Sequence, residues 1–367
     1  MNTIIKWWVT PKLPLQDVFE KHNFISQWLV HPIKRRLARC YLKLIQKYTD
    51  ITVIGVTGSA GKSTTVQMIA AILKEKGKTI ATPPSIDPVY NVPNTILKTP
   101  YGAKYLILEF SVEYPGEMDY YLWLAKPDIG AIINIYPTHT QFFGNVEGVF
   151  REKKKLVEAL SPSGAAVLNR EDRFLRRLEN KLKAKIAWFE GDLDPLAQNA
   201  NVATTIATIL NIDRGSIKRG LENYVRPKHR FEVIKHKSGA VILDDSYNSN
   251  PEALISTLSV FNNLAKKGLK IAVLGDMLEL GELEEREHRR VGREVGKSGF
   301  EVLIGVGKAS KFMIEEVKKN SKGTKTHLVE SAEQVLPILS PYLSKNTFIL
   351  VKGSRSIGLD KLVSRLS

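Results

Sequence analysis

The chain has 367 residues, of which 43% are hydrophobic and 25% are charged. These proportions are typical of a folded globular protein and exclude a disordered chain. No stretch reaches the roughly 18 uninterrupted apolar residues that a spanning helix needs. The single cysteine, Cys40, excludes an internal disulfide framework. We therefore expect a cytoplasmic protein with about two domains.

The formal net charge of +16 favours an anionic partner. Anionic substrates, acidic lipid surfaces and nucleic acids would all be attracted by it, and a lysine-rich surface kept for solubility is the alternative. We find no nucleic-acid-binding module, and no aromatic pair set among basic residues. The charge therefore indicates an anionic small molecule or peptide as the substrate.

Residues 1–50 differ from the rest and are predicted to form a basic amphipathic helical segment. The apolar positions at helical spacing are Ile33, Leu37, Cys40, Tyr41, Leu44, Ile45 and Tyr48. The basic residues of the other face are Lys34, Arg35, Arg36, Arg39, Lys43 and Lys47. The apolar stripe must be covered by the chain's own next domain, by a partner protein or by an anionic membrane.

Beyond residue 50, apolar runs alternate with helical stretches, which predicts an α/β fold with mainly parallel sheets. The first series of predicted strands is Ile51–Val56, Tyr105–Phe110, Ile129–Ile135, Ala165–Leu168 and Ile186–Phe189. The second series is Ala240–Leu243, Lys270–Leu274, Val302–Val306 and Phe348–Val351. The segment VRPKHR interrupts the periodicity between them. We predict a P-loop central domain over 51–228 and a Rossmann-like domain over 229–367.

The segment ITVIGVTGSAGKST predicts a strand, a glycine-rich turn and a helix that together bind phosphate. Gly58 and Gly61 let the backbone turn tightly, Lys62 adds positive charge, and Ser63 can offer its hydroxyl to Mg²⁺. The spacing departs from the P-loop rule, because the first glycine is Gly55 and not residue 56. A glycine-rich turn kept for backbone reasons alone is the alternative.

Polar residues follow two further strands of the first series, where ligands collect in parallel sheets. Glu109 ends one strand, His139 follows another, and Lys153 lies in a helix beginning near Val149. Together with a serine hydroxyl and a phosphate they would form a magnesium site. Singly, each has a structural alternative: a helix-capping carboxylate, a loop histidine and a solvated lysine.

The second series also has polar strand ends, in LDDSYNSNP, VLGDMLELGE and ILVKGSRS. Lysine and arginine on a glycine-containing turn suit a phosphate or carboxylate. The candidate substrate contacts are Asn248, Asn250, Lys352, Ser354 and Arg355.

Read together, TGSAGKST, DDSYNSNP, VLGDMLELGE and VKGSRS resemble the Mur ligases, in that family's order, from about Ile51 to Leu366. The resemblance implies an enzyme of peptidoglycan precursor synthesis that uses ATP and Mg²⁺. Such an enzyme activates a carboxylate as an acyl phosphate and joins it to an amine.

The resemblance also implies roles for individual residues. The expected contacts to the ATP phosphates are Gly58, Ser59, Gly61, Lys62, Ser63 and Thr64. The expected metal site comprises Ser63, Glu109, His139 and a carbamylated Lys153, and the catalytic group is Lys62, His139 and Lys153. Asn169 and Asn199 fall near the adenine contacts, and Arg230 and Asp245 would reach ATP from the hinge and the C-terminal domain.

Two departures from the family pattern keep other functions open. Only about 50 residues precede the phosphate turn, where the family has a UDP-binding domain, and the usual His-Asn pair reads Pro195-Leu196. One alternative is the same chemistry on a non-UDP carboxylate: another peptide, a lipid-linked precursor or a polyglutamylated cofactor. A catalytically silent nucleotide-binding protein is the other alternative, and it is disfavoured by the intact Lys62, Glu109, His139 and Lys153.

Overall fold

The computed structural model describes residues 29–84, 87–192, 194–321 and 323–366. These residues form two compact units, the first of 29–136, 145–192 and 196–225, the second of 137–144, 194–195 and 226–366. The predicted domain limits at 50 and 228 stay predictions. Part of the predicted N-terminal segment, including Trp7 and Trp8, lies outside the described residues.

The first unit is built on a six-stranded sheet in which every described pairing is parallel. Its strands are β1 (Thr52–Thr57), β2 (Thr79–Ala81), β3 (Tyr105–Glu109), β4 (Ile129–Ile132), β5 (Ala165–Asn169) and β6 (Lys185–Phe189). Their order across the sheet is β2-β3-β1-β4-β5-β6. The five predicted strands are confirmed, the third ending at Ile132, and the three-residue edge strand β2 was not predicted.

Helices belong to the same unit as this sheet. They are α1 (His31–Tyr48), α2 (Lys62–Lys74), α3 (Pro88–Leu97), α4 (Glu117–Leu124), α6 (Val146–Glu158), α7 (Pro195–Ile209) and α8 (Arg214–Glu222); the short helix α5 (Thr140–Phe143) belongs to the second unit. Buried side chains of α2 and α7 pack on the sheet in one core with Ile54 and Val167. Leu156 of α6 lies against Gly55 and Gly130 of the strands. The sheet is buried, as continuous apolar strands predict.

The second unit contains a six-stranded sheet of order β11-β10-β9-β12-β8-β7. Its strands are β7 (Glu232–Lys235), β8 (Val241–Asp244), β9 (Leu269–Gly275), β10 (Val302–Val306), β11 (Lys325–Val329) and β12 (Thr347–Lys352). The edge strand β7 runs antiparallel to β8, and the other described pairs are parallel. The edge strands β7 and β11 were not predicted, because their half-buried residues lack a continuous apolar run.

Two buried cores lie on the two faces of this second sheet. The helices of the unit that follow β7 are α9 (Pro251–Leu264), α10 (Glu284–Lys297), α11 (Ser310–Asn320), α12 (Val335–Leu339) and α13 (Leu359–Leu366). Helices α9, α10 and α11 contribute to one core, and α12 and α13 contribute to the other. The predicted α/β layering is confirmed for both units.

Helix α1 is confirmed, but the prediction of its buried face was wrong. The helix packs on α3 and α4 through residues that include Arg35, Ala38, Leu42 and Ile45. The predicted stripe residues that are exposed instead are Ile33, Leu37, Cys40, Leu44 and Tyr48. The helix therefore has two apolar faces, and counting apolar residues could not decide which one the domain covers. None of the helices in the described ranges is long and apolar enough to cross a bilayer.

Candidate active site

The glycine-rich turn joins the buried strand β1 to helix α2 at the carboxyl end of β1, in the interior of the first sheet. Gly61 has a φ of 84°, in the left-handed region, and a Cβ atom there would collide with the side chain of Asn199. Both constraints require glycine at this position. The first N–H groups of an α-helix point out of its N-terminus and the helix dipole is positive there, so the start of α2 is an anion-binding position.

Asn134, which sequence reasoning missed, fixes the shape of the turn. Its side-chain oxygen accepts hydrogen bonds from the backbone N–H groups of Ser59 and Ala60, each at 2.9 Å. The Ser59 hydroxyl in turn bonds the backbone of Tyr136. The only sequence signal was one asparagine within the apolar segment AIINIYP. Since Asn134 uses these two donors, the N–H groups of α2 itself remain the main candidates for phosphate.

Ser63 and Glu109 meet beside this turn, as the sequence predicted. Ser63 follows the turn at the end of β1, and Glu109 is the last residue of β3. Strand β3 is the parallel neighbour of β1, and Glu109 pairs in register with Val56. The Ser63 hydroxyl donates to the Glu109 carboxylate at 2.8 Å, and both residues are buried. Lys62 donates to the carbonyl of Gly58 at 3.1 Å. This hydrogen bond does not support the alternative in which the Glu109 carboxylate caps a helix.

Lys153 is buried in helix α6, with 1% of the residue exposed. Burial, and after it the nearby charge of Lys62, hold the pKa of Lys153 well below its ordinary value. Two buried acids lie nearby: burial raises the pKa of Glu117 to about 7, and Glu152 accepts from the backbone N–H of Met118 at 2.9 Å. The solvated-lysine alternative for Lys153 was wrong.

Three amide side chains lie together near the turn. Asn169 at the end of β5 donates to Gln198 at 3.4 Å and accepts from the N–H of Glu171 at 2.9 Å. Asn199 follows Gln198 on α7 and lies against Gly61. Both asparagines predicted near adenine are buried here.

The donor set of the first unit fits a hard cation. A hydroxyl and a carboxylate oxygen 2.8 Å apart are the kind of ligands that Mg²⁺ takes, along with phosphate oxygens and water. The predicted His139 lies in the segment 137–144 of the second unit, where its ring bonds the carboxylate of Glu279. Within the described ranges, no three His, Cys, Asp or Glu side chains are grouped closely enough to hold a metal.

The second unit contains a buried ion pair at the ends of β8 and β12. The Lys352 ammonium donates to the Asp245 carboxylate at 2.5 Å and to the carbonyl of Asn248 at 3.0 Å. Asp245 also accepts from the hydroxyl of Thr257 at 2.8 Å. The structure thus brings together three residues that the sequence predicted singly.

The remaining predicted residues of the second unit have different surroundings. Asn250 caps helix α9 by accepting from the N–H of Ala253 at 2.9 Å, and Ser354 accepts from the N–H of Leu278. The guanidinium groups of Arg230 and Arg355 lie 4.1 Å and 5.2 Å from the ring centre of Tyr247. These two arginines form a cationic cluster that the sequence did not predict, since the residues are far apart in the chain.

Comparison with known proteins identifies the class. The Mur ligase middle domain model matches residues 56–212, and the Mur ligase, glutamate ligase domain model matches residues 229–355. A relative from Buchnera aphidicola subsp. Baizongia pistaciae is 31% identical over 88% of this chain and 76% of its own length. The chain belongs to the Mur ligase family and is an ATP-dependent, ADP-forming amide ligase. The predicted resemblance is confirmed.

Within the family, the chain is MurF-like. The Buchnera relative and one from Bacillus subtilis, 27% identical over 90% of this chain and 78% of its own length, are UDP-N-acetylmuramoyl-tripeptide–D-alanyl-D-alanine ligases. Solved structures share the fold. MurF from Acinetobacter baumannii has a TM-score of 0.80 at 24% identity, covering 91% of this chain and 80% of that one. MurF from Thermotoga maritima with ADP has a TM-score of 0.79 at 23% identity, covering 92% and 83%.

Proposed function

We propose that this enzyme joins a carboxylate of UDP-N-acetylmuramoyl-tripeptide to the amine of D-alanyl-D-alanine, through an acyl phosphate made from ATP. These two substrates are the ones given in the enzyme names of the Buchnera and Bacillus relatives. The observation that supports the chemistry is the glycine-rich turn with Lys62, next to the buried Ser63–Glu109 pair. That arrangement suits a triphosphate and the charge that develops during its transfer.

The reaction has two balanced steps. An oxygen of the substrate carboxylate attacks the γ-phosphorus, the bond to the β-phosphate oxygen breaks, and ADP leaves. The amine nitrogen then attacks the acyl carbon, phosphate leaves with one former carboxylate oxygen, and the amine loses a proton. Lys62 and the N–H groups at the start of α2 stabilise the negative charge on the transferred group.

We propose that Mg²⁺ is held by the oxygens of Ser63 and Glu109, with His139 and a modified Lys153 as further ligands. When bound, the ion would supply electrostatic stabilisation of the phosphate oxygens. On the nucleotide, Gly58, Ser59, Gly61 and Thr64 would contact the phosphates with Lys62. The remaining proposed nucleotide contacts are Asn169, Asn199, Arg230 and Asp245, and the proposed substrate contacts are Asn248, Asn250, Lys352, Ser354 and Arg355.

Lys153 is proposed to be carbamylated in the active enzyme. A buried ammonium close to Lys62 is unfavourable, because burial and a like charge both act against it. The neutral amine nitrogen bonds the carbon of CO₂ and releases one proton, which gives a carbamate whose negative charge would instead attract Lys62 and a metal ion.

The carbamate is tested with Lys153→Ala and with Lys154→Ala as the neighbouring control, since Lys154 is part-exposed and pairs with Glu158. Lys153→Ala should be inactive, and short added carboxylates should partly restore its turnover. Lys154→Ala should keep wild-type turnover. An unmodified amine at Lys153 in a high-resolution crystal of active, bicarbonate-supplied enzyme would disprove the carbamate.

The substrate assignment is tested by phosphate release over a panel of UDP-muramyl peptides and amines. We expect turnover to require UDP-N-acetylmuramoyl-tripeptide and D-alanyl-D-alanine together, with one amide formed per phosphate. Turnover with a lipid-linked peptide or another carboxylate, and none with the UDP-tripeptide, would replace the substrate while keeping the chemistry. No ATP turnover with any acceptor would favour a silent nucleotide-binding protein.

We also propose that the enzyme works in the cytoplasm, where ATP is available, and that α1 contacts the anionic inner membrane surface. The outer face of α1 exposes 56% of Leu37, 51% of Leu44 and 60% of Tyr48. Exposed Lys43 and Lys47 flank this face. Each basic residue near an anionic bilayer contributes about 1 kcal/mol, which suits reversible and salt-sensitive attachment.

Vesicle cosedimentation tests this contact. Leu37→Gln with Leu44→Gln, or Lys43→Glu with Lys47→Glu, should abolish sedimentation with vesicles rich in anionic lipid and leave ATP turnover unchanged. Leu328→Gln is the control, because Leu328 is 51% exposed in the second unit. Equal sedimentation of all variants, or no sedimentation of the wild type, would contradict membrane contact.

A further inference from the structure

Three hydrogen bonds join the turn around His139 to the loop around Glu279, both of which belong to the second unit. The Nδ1 atom of His139 bonds the Glu279 carboxylate. The Thr140 hydroxyl donates to the carbonyl of Leu280 at 2.9 Å, and the N–H of Gln141 donates to the carbonyl of Glu279 at 3.1 Å. The side-chain pair is therefore supported by two further hydrogen bonds, which the residues directly after His139 donate to the loop.

The backbone at both residues adopts a conformation that non-glycine residues rarely take. His139 has a φ of 54° and Glu279 a φ of 63°, and both lie in the left-handed region. At Gly281, with a φ of 57°, a Cβ atom would approach the Cα of Gln141 to 3.0 Å. Two unfavourable backbone conformations that bring the same two side chains together indicate a functional constraint on the pair.

The chemistry of the pair determines which ring nitrogen donates the hydrogen bond. An ionised carboxylate only accepts hydrogen bonds, so Nδ1 must carry the proton in this contact. A neutral imidazole then presents Nε2 as a lone pair, which is the form that binds metals. A carboxylate behind a ligating histidine orients its ring.

We propose that Glu279 is a positioning residue that holds His139 in the Nδ1-protonated tautomer, so that Nε2 is the ring nitrogen that would ligate a metal ion. This inference rests on the proposed function, which gives His139 its metal role. Glu279 itself does not contact the reacting atoms in this account. It acts through the ring that it orients.

The test uses the full chain with Glu279→Ala and Glu279→Gln, and with Glu282→Ala as the control. Glu282 is exposed and lies in the same loop. The first measurement is the ¹⁵N spectrum of the histidine rings without metal or nucleotide. The seven histidines of the chain allow the His139 signals to be assigned by comparison with His139→Gln.

The second measurement is Mn²⁺ binding in the presence of ADP, followed by electron paramagnetic resonance. We expect the Nδ1-protonated tautomer in the wild type, Glu282→Ala and Glu279→Gln, since the glutamine oxygen still accepts the bond. Glu279→Ala should lose this tautomer preference and bind Mn²⁺ roughly tenfold to a hundredfold more weakly.

An unchanged tautomer and unchanged Mn²⁺ affinity in Glu279→Ala would overturn the proposal. If Glu279→Ala does not fold, loss of the Nδ1-protonated tautomer in the near-isosteric Glu279→Gln would overturn it. A wild type that binds no Mn²⁺ with ADP would instead count against the proposed function. In that case the tautomer measurement still decides whether Glu279 orients His139.

Discussion

The buried lysines of the two units are surrounded by different charges. In the first unit, burial and after it the charge of Lys62 lower the pKa of Lys153, and the nearby carboxylates offset this only in part. In the second unit, Lys352 is equally buried, but its ammonium lies 2.5 Å from the Asp245 carboxylate. One arrangement opposes a positive charge, and the other compensates it.

This difference separates ligand binding from structural support. A buried ion pair is satisfied without a ligand, and removing one partner leaves the other charge buried and unpaired. Two neighbouring lysines are stabilised by an anion that lies near both. We therefore expect substitutions of Lys62 to change phosphate chemistry, whereas substitutions of Lys352, which is also a proposed substrate contact, should in addition lower stability.

The largest expected effect is the loss of stability in Lys352→Ala. Removing this lysine should lower the free energy of unfolding by about 3–5 kcal/mol, because Asp245 stays buried without its cation. The control is Lys345→Ala, an exposed lysine just before β12, which should cost less than about 0.5 kcal/mol. Urea unfolding measures both free energies. Similar midpoints and slopes for the two variants would show that the Lys352–Asp245 ion pair does not stabilise the second unit.

Next in size is the effect of Lys62→Ala on the reaction. Losing a charge-assisted contact to the transferred phosphate should lower the rate about a hundredfold or more, or roughly 3 kcal/mol. The free energy of unfolding should not fall, since the variant removes one of two opposed charges. Lys74→Ala, exposed at the other end of the same helix, is the control for activity. Wild-type turnover in folded Lys62→Ala would refute the phosphate assignment.

Two substitutions of Asn134 distinguish the effect of the turn's shape on stability from the effect of its charge on ADP binding. Asn134→Ala leaves the N–H of Ala60 without its acceptor, while the N–H of Ser59 keeps its bond to the backbone carbonyl of residue 134, and this loss should cost about 1–3 kcal/mol of stability. Asn134→Asp keeps an acceptor and should retain most of that stability, but its charge should weaken ADP binding. Calorimetric titration with ADP measures the second effect. Equal ADP affinity for wild type and Asn134→Asp would show that phosphate binds elsewhere.

The smallest effect concerns His31 of α1, whose ring bonds the carbonyl of Val89 and lies outside the phosphate turn. Burial, helped by the Arg35 charge, lowers the pKa of His31 from 6.5 to about 4. The unfolded chain therefore takes up the proton first, and stability is lost as the pH falls through 6.5 towards 4. Between about pH 8 and about pH 5 this loss is roughly 2 kcal/mol.

His31→Gln should lack this part of the pH dependence while keeping the ATP turnover of the wild type. Urea unfolding of both proteins at the two pH values measures the difference. An identical pH dependence in wild type and variant would show that His31 titrates normally in the folded protein.

The phosphate turn could be predicted from the sequence because its determinants are local. Glycines, Lys62 and Ser63 occur in one short segment, and the rule that ligands collect at strand ends added Glu109. That prediction held because β3 became the neighbour of β1 in a parallel sheet. The fold class followed in the same way, from continuous apolar runs that alternate with helices.

Features that depend on distant contacts could not be predicted. Asn134 looks like one polar residue in an apolar segment until the turn folds against it. Glu279 lies 140 residues from His139, and nothing in either local pattern indicates that they pair. The buried face of α1 was misjudged because both of its faces carry apolar residues, and packing on α3 decided between them.

The acyl phosphate is the central claim of the proposed chemistry, and oxygen-18 in the reacting carboxylate tests it most directly. The labelled UDP-N-acetylmuramoyl-tripeptide is incubated with ATP, D-alanyl-D-alanine and the enzyme, and the released phosphate is analysed by mass spectrometry. An acyl phosphate transfers one labelled oxygen to each phosphate, so we expect one oxygen-18 per phosphate formed. Amide formation with unlabelled phosphate would contradict the account, because the carboxylate would then not have attacked the γ-phosphorus.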